Sequence, residues 1–324
     1  MRKLITSLLT VLLFIWSCEP NENTPQTVEF NPKLKDKLTR VDPSSVENRN
    51  GRTAGIEQWI AGVNETIASQ GLAIEKMEFL AAEQAGNTVF FANNGNKQLS
   101  SDFVPNDPRN GTGIEVPYVI DGTELGTSSG MSEFETYNAT VTAMETWDNV
   151  ACSSGLQIPN LGVTPFDIGY VQYLLGFGGI AGYFPGTVVH AGILPGSFFD
   201  AVDPGGATSI LGVTFTFVWL DDLDADGKSD VAIKEIYIND GFNWQDAPDD
   251  VLGNGIYDLE TVILHEAGHA LSQAHFGKAF VSGNEKLHFA PAALMNAGYS
   301  VARRNISGTD NAGHCSNWSN WPSN

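Results

Sequence analysis

The sequence predicts an α+β fold, and three observations carry that reading. Apolar runs of strand length recur at Phe166–Leu175, Ile210–Leu220 and Val231–Ile238. Segments with helical spacing of apolar residues stand apart from them, near residues 56–67, 134–147 and 259–270. Of the 324 residues, 42% are hydrophobic, enough for a sizeable core. The length suits one large domain with a smaller unit before it.

Charge narrows the partners. Only 17 Lys and Arg face 38 Asp and Glu, and a formal charge of -21 repels phosphate backbones and anionic membrane surfaces. No nucleic acid is expected as a partner, and the acidity fits solubility outside a cell. Arg2 and Lys3 precede an apolar run, Leu4 to Trp16, that is too short to span a bilayer comfortably, so residues 1–18 read as a signal peptide. Its end, Ile15-Trp16-Ser17-Cys18, resembles the lipobox of bacterial lipoproteins, with Trp16 bulky for that motif. Acylation of Cys18 would make the chain an outer-membrane or cell-surface lipoprotein; without it, Cys18 is incidental and the chain is secreted. Cys152 and Cys315 remain, either paired in an oxidising compartment or as two free thiols.

Residues 19–54, opening on a stretch rich in Pro, Asn, Glu and Thr, read as a tether. Residues 55–112 then suggest a small α/β unit, either a propeptide or an integral extension. Ile56, Trp59, Ile60, Val63 and Ile67 fall at helical spacing, Gly71 is placed to end that helix, and Ala73–Leu80 and Thr88–Ala92 read as strands before Asn94-Gly95. The main domain, residues 113–324, opens with a strand at Val116–Ile120. Phe134, Tyr137, Val141, Met144 and Trp147 then mark the core face of a long helix.

The chemistry concentrates in Leu264-His265-Glu266-Ala267-Gly268-His269-Ala270-Leu271-Ser272-Gln273-Ala274-His275. Leu259, Val262, Ile263 and Ala270 give the stretch a buried helical side, and a spacing of four puts His265 and His269 one turn apart on one face. Both imidazoles can therefore reach one ion. A catalytic zinc takes three protein ligands and leaves a position for water, so a third must come from beyond the helix, and His275 is the natural candidate. Glu266, beside the first ligand, can reach the water that the metal activates and serve as general base for peptide-bond hydrolysis.

These residues resemble the extended motif HExxHxxGxxH of the metzincins, and among them the matrixin-like peptidases. The resemblance implies a zincin fold: a twisted mixed sheet, an active-site helix, and a small C-terminal subdomain carrying the third ligand and a methionine turn. Ser272 stands where the family has glycine, whose positive φ swings the third histidine back to the metal. Were that turn to fail, His288 or Glu285 could complete the site, the latter closer to the gluzincin pattern. Ala293-Leu294-Met295-Asn296-Ala297-Gly298-Tyr299 looks like the methionine turn, with Met295 beneath the imidazoles and Tyr299 walling the substrate pocket. Phe166–Val171 looks like a central strand, and Gly179–Gly186 like the edge strand that pairs with an extended peptide substrate. Asp310-Asn311-Ala312-Gly313 looks like the start of the final helix, which would bring Cys315 near Cys152. The family's structural-zinc histidines are not recognisable: His190 alone cannot make such a site, and His314 reads as structural or exposed.

Asp222, Asp224, Asp226 and Asp230 supply oxygen at alternate positions around Gly227, the pattern of a calcium loop, although Ile233 replaces the acidic residue expected at position twelve. A solvated acidic turn is the other reading. The expected function is therefore that of a zinc metalloendopeptidase acting on extracellular protein or peptide. The competing class is a zinc-binding surface protein that recognises peptides or glycans on a peptidase scaffold without cutting them.

Overall fold

The computed structural model describes residues 52–82, 100–182, 186–246, 255–281, 287–306 and 308–323. The expected signal peptide with Cys18, nearly all of the expected tether and the strand expected at Thr88–Ala92 lie outside them. Along the chain run α1 (Arg52–Ile67), β1 (Leu72–Ala81), β2 (Ser101–Asp102), β3 (Tyr118–Asp121), α2 (Glu133–Asp148), β4 (Asn160–Thr164) and α3 (Tyr170–Leu175). There follow β5 (Val188–Leu194), α4 (Gly196–Val202), β6 (Ile210–Trp219), β7 (Ser229–Asn239), β8 (Asn243–Gln245) and β9 (Ile256–Asp258). The chain continues with α5 (Leu259–Ala270), β10 (Lys278–Val281), β11 (Leu287–Ala290) and α6 (Gly308–Trp318).

The fold is α+β around a mixed seven-stranded sheet of order β1-β6-β7-β5-β3-β4, with β2 pairing in parallel with the first residues of β7. β3, β4, β5 and β7 run parallel; β6 is antiparallel to both β7 and β1. Alternation along each strand feeds two apolar cores. Met77, Phe79, Phe215, Phe217 and Tyr237 face α1, α3 and α4, whereas Leu80, Ile120, Ile236 and Ile238 face α2 and α5. β1 thus joins the main sheet, although residues 55–112 had suggested a unit of their own. Its helix, α1, buries Ile56, Trp59, Val63 and Ile67 on the sheet, and the left-handed Gly71 (φ 76°) turns the chain back into β1.

Three sequence expectations are corrected. Phe166–Val171 is not a central strand: the chain turns at Gly169, and the buried Glu235 carboxylate accepts from the amides of Tyr170 (2.6 Å) and Val171 (3.1 Å), capping the start of α3. Gly179–Gly182 is not an edge strand, since it contributes no strand residue, and residues 183–185 lie outside the described set. β6 takes the position flanking α5, and β1 lies outside it. The core face of α2 is built from Thr136, Ala139, Thr140, Ala143, Met144 and Trp147, with Phe134 72% exposed. Small side chains let α2 lie close against α5, so large apolar residues do not mark the contact.

Candidate metal centre

All twelve residues of α5 are buried, and the helix starts from Asp258, whose carboxylate accepts from the Thr261 amide at 3.0 Å. Arg304 braces the same carboxylate through its Nε at 3.0 Å. The helix ends at Leu271, and Ser272 adopts the left-handed conformation, φ 63°. Its amide donates to the His269 carbonyl (3.0 Å) and the Gln273 amide to the Gly268 carbonyl (2.8 Å), which closes the helix end and sends His275 back over α5.

The result is a convergence of three buried imidazoles. His265 Nε2 lies 3.0 Å from His269 Nε2 and 3.2 Å from His275 Nε2, and the last two are 3.0 Å apart. His265 Nδ1 stands 2.8 Å from the Leu294 carbonyl oxygen, and His269 Nδ1 stands 2.9 Å from that of Gln273. A carbonyl only accepts, so both protons sit on Nδ1 and both Nε2 atoms present lone pairs to the centre. Two lone pairs this close repel one another and a cation between them relieves the repulsion, so the group is compatible with a metal ion. Burial holds His265 down at about 4, and burial together with the neighbouring imidazoles holds His269 and His275 well below the usual range. Neutral rings are the form that ligates.

Glu266, also fully buried, points toward β6 and β1. Its Oε2 accepts from the Thr214 hydroxyl at 2.7 Å and its Oε1 from the Leu80 amide at 3.1 Å. Burial pushes its carboxyl up to about 8 against those two hydrogen bonds, and the nearby Glu78 pushes the same way. Across β6, a Cβ on Gly212 would stand 2.9 Å from Glu266 Cγ, so that glycine makes room for the side chain.

The segment from Ala293 to Tyr299 floors the site. Asp310 on α6 accepts from the Leu294 and Met295 amides at 2.9 and 3.0 Å. Burial raises its carboxyl. Met295 packs beneath α5: a Cβ on Gly268 would meet Met295 Sδ at 2.5 Å and Trp147 Cζ2 at 2.9 Å. Trp147 donates its indole hydrogen to the Leu264 carbonyl at 2.9 Å. Tyr299 accepts from the Asp258 amide through its hydroxyl (3.0 Å) and packs edge-on to Tyr257. Gly268, Trp147, Thr214 and Asp310 in these roles escape sequence reading, because each acts through a partner distant in the chain; the Asp310 position, opening the helix after the methionine segment, was the one local clue.

Elsewhere, Asp222, Asp224 and Asp230 bring carboxylate oxygens within 4.8 Å of one another, while Asp226 turns to Lys228 (2.6 Å) and is not in that group. Cys152 and Cys315 form a disulfide with Cα atoms 5.6 Å apart. His190 is buried in β5, and His314 is buried, meeting Ser153 Oγ at 2.9 Å and packing on Trp147. Glu285 and the side chain of His288 lie outside the described residues. No protein-family model matches the chain, and no curated protein matches it.

Proposed function

We propose that the chain is a zinc metalloendopeptidase of matrixin-like metzincin type, with His265, His269 and His275 holding the metal and Glu266 as general base. The observation that carries the reading is the convergence of the histidine Nε2 atoms at 3.0–3.2 Å with the Nδ1 atoms of His265 and His269 directed at carbonyl oxygens. Tetrahedral zinc with Zn–N near 2.1 Å requires nitrogens about 3.4 Å apart, close to this spacing, and three neutral imidazoles without thiolate are a donor set of catalytic zinc. Bound there, zinc would supply a Lewis acid that polarises a carbonyl and makes water a nucleophile near neutral pH.

The chain's own groups do the rest. Glu266, next in sequence to His265, accepts the proton from the attacking water and returns it to the amine nitrogen as the peptide bond breaks. Thr214 holds one carboxylate oxygen, and the other accepts from the chain's own Leu80 amide. Leu294, held by Asp310, keeps the His265 ring in the tautomer that ligates. The basic-then-apolar start and Cys18 support export, as a lipid-anchored or released enzyme acting on extracellular protein or peptide.

The test is hydrolysis of unfolded casein by the zinc-loaded full chain, with metal content measured alongside. Because the Leu80 amide is hydrogen-bonded to Glu266, the same assay is run on Leu80→Pro, which removes that hydrogen bond. Cleavage that stops with a chelator and in Glu266→Gln is the expected result. Bound zinc with no cleavage by either chain would leave the peptide-binding scaffold as the better reading.

A further inference from the structure

β1 runs beside the candidate centre as an extended edge strand whose Leu80 amide meets the Glu266 carboxylate. It pairs antiparallel with β6, Glu78 opposite Thr214 and Leu80 opposite Gly212, above the Glu266 carboxylate. Its contacts fall on either side of Phe79. On one side, Glu78 Oε2 stands 3.6 Å from His269 Nδ1; on the other, the Leu80 amide donates to Glu266 Oε1 at 3.1 Å. Beyond it, Ala81 is held from below, its amide donating to Ala297 O (3.2 Å) and its carbonyl accepting from Tyr299 N (2.8 Å). The Ala82 amide donates to Ser209 O at 2.9 Å. The Leu80 side chain, 2% exposed, joins the apolar cluster of Val262, Leu294 and Tyr299. Main-chain pairing with side chains seated in pockets is how proteins hold extended peptides.

The nitrogen that Glu266 touches belongs to the Phe79–Leu80 bond, and it is the nitrogen that takes a proton when that bond breaks. Resting on the peptidase reading, we infer that Phe79–Leu80 is a self-cleavage site: β1 is the chain's own substrate, hydrolysed within the molecule. Water adds its oxygen to the Phe79 carbonyl carbon, the C–N bond breaks, and the proton passes through Glu266 to the Leu80 amine; the products are a Phe79 carboxylate and a Leu80 amino terminus. The substrate class follows from what β1 seats: an extended peptide with leucine after the bond and small residues at the next two positions.

The full chain, stripped of metal and then given zinc, is followed by mass spectrometry and N-terminal sequencing at several protein concentrations, with casein hydrolysis read in parallel. A fragment beginning at Leu80 is expected, with a first-order rate independent of concentration, absent without metal and in Glu266→Gln. Casein cleavage with Phe79–Leu80 intact overturns this inference and leaves the peptidase reading standing; no cleavage of either substrate, by this chain or Leu80→Pro, overturns both. Amide exchange in the metal-free chain is a readout without turnover. The Leu80 and Ala81 amides should exchange at least about 100-fold more slowly than in an unstructured peptide. Exchange at free-peptide rates would show that β1 does not occupy the site.

Discussion

The ring of His265 is positioned by the carbonyl of Leu294, 2.8 Å from its Nδ1, and Leu294 is in turn held through its amide by the buried carboxylate of Asp310. Asp310 never reaches the imidazoles, yet it anchors the segment that aims one of them. Asp310→Ala should therefore weaken metal binding about 10- to 100-fold while leaving all three histidines in place. Competition with a chromophoric chelator measures it. An unchanged affinity with a lowered Tm would reduce Asp310 to a packing role.

Ser272 carries a strained backbone, φ 63°, and its hydroxyl is buried without a hydrogen-bond partner. A left-handed L-residue costs roughly 1–2 kcal/mol, and an unsatisfied buried hydroxyl costs about as much. Glycine removes both penalties and adds back about 0.5–1 kcal/mol of unfolded-state entropy. The balance favours Ser272→Gly by about 1–3 kcal/mol, a rise of roughly 2–5 °C in Tm for a chain this long. Thermal unfolding of the metal-free chain decides it, and a lower Tm would mean that the serine is stabilised by something other than its backbone angle.

What the sequence disclosed follows from the range of the interactions. α5 was legible because its apolar side and the spacing of His265 and His269 are properties of one continuous segment. β6 and β7 are legible as apolar runs of the right length, and the turn at Ser272 is implied by the resemblance to the extended histidine motif, which has glycine at that position. The start of α3 was not legible: its local residues are apolar enough for a strand, and the decision is made by Glu235, distant in sequence, capping the Tyr170 and Val171 amides. The buried face of α2 is hidden from the sequence for a related reason. Close approach to α5 selects Ala139, Thr140 and Ala143, which carry little hydrophobic signal, and leaves Phe134 outside. The segment Ala73–Leu80 could be read as a strand, but not as the one that covers Glu266, because its partner β6 lies far along the chain.

Calcium should raise the Tm of the wild-type chain through Asp222, Asp224 and Asp230. Their carboxylate oxygens lie within 4.8 Å of one another, and Asp230 Oδ1 is buried without a hydrogen-bond partner. Arg109 already pairs with the other Asp230 oxygen, and Asp226 is engaged by Lys228, so affinity should be modest. Millimolar calcium is expected to stabilise by about 1–3 kcal/mol, following mass action at a concentration 10- to 100-fold above Kd. Differential scanning calorimetry with calcium or magnesium, on wild type and Asp222→Ala, separates the cases: equal shifts in both chains would show that the ion acts elsewhere.

Glu124 makes stability fall as pH rises through neutrality. Burial pushes its carboxyl from 4.5 up to about 8, and the carboxylates of Asp167 and Asp121 push the same way. Between those two values the folded chain keeps a proton that the unfolded chain has released, so folding binds protons and basic pH opposes it. The contribution is fully favourable below pH 4.5, where both states are protonated, and is lost progressively up to about pH 8. Glu124→Gln keeps the shape of the protonated acid and removes its titration. The variant should match wild type near pH 5 and exceed it at pH 8. Urea unfolding at the two pH values measures the difference; an equal gap at both would mean that the Glu124 carboxyl ionises in the folded chain as it does in the unfolded one.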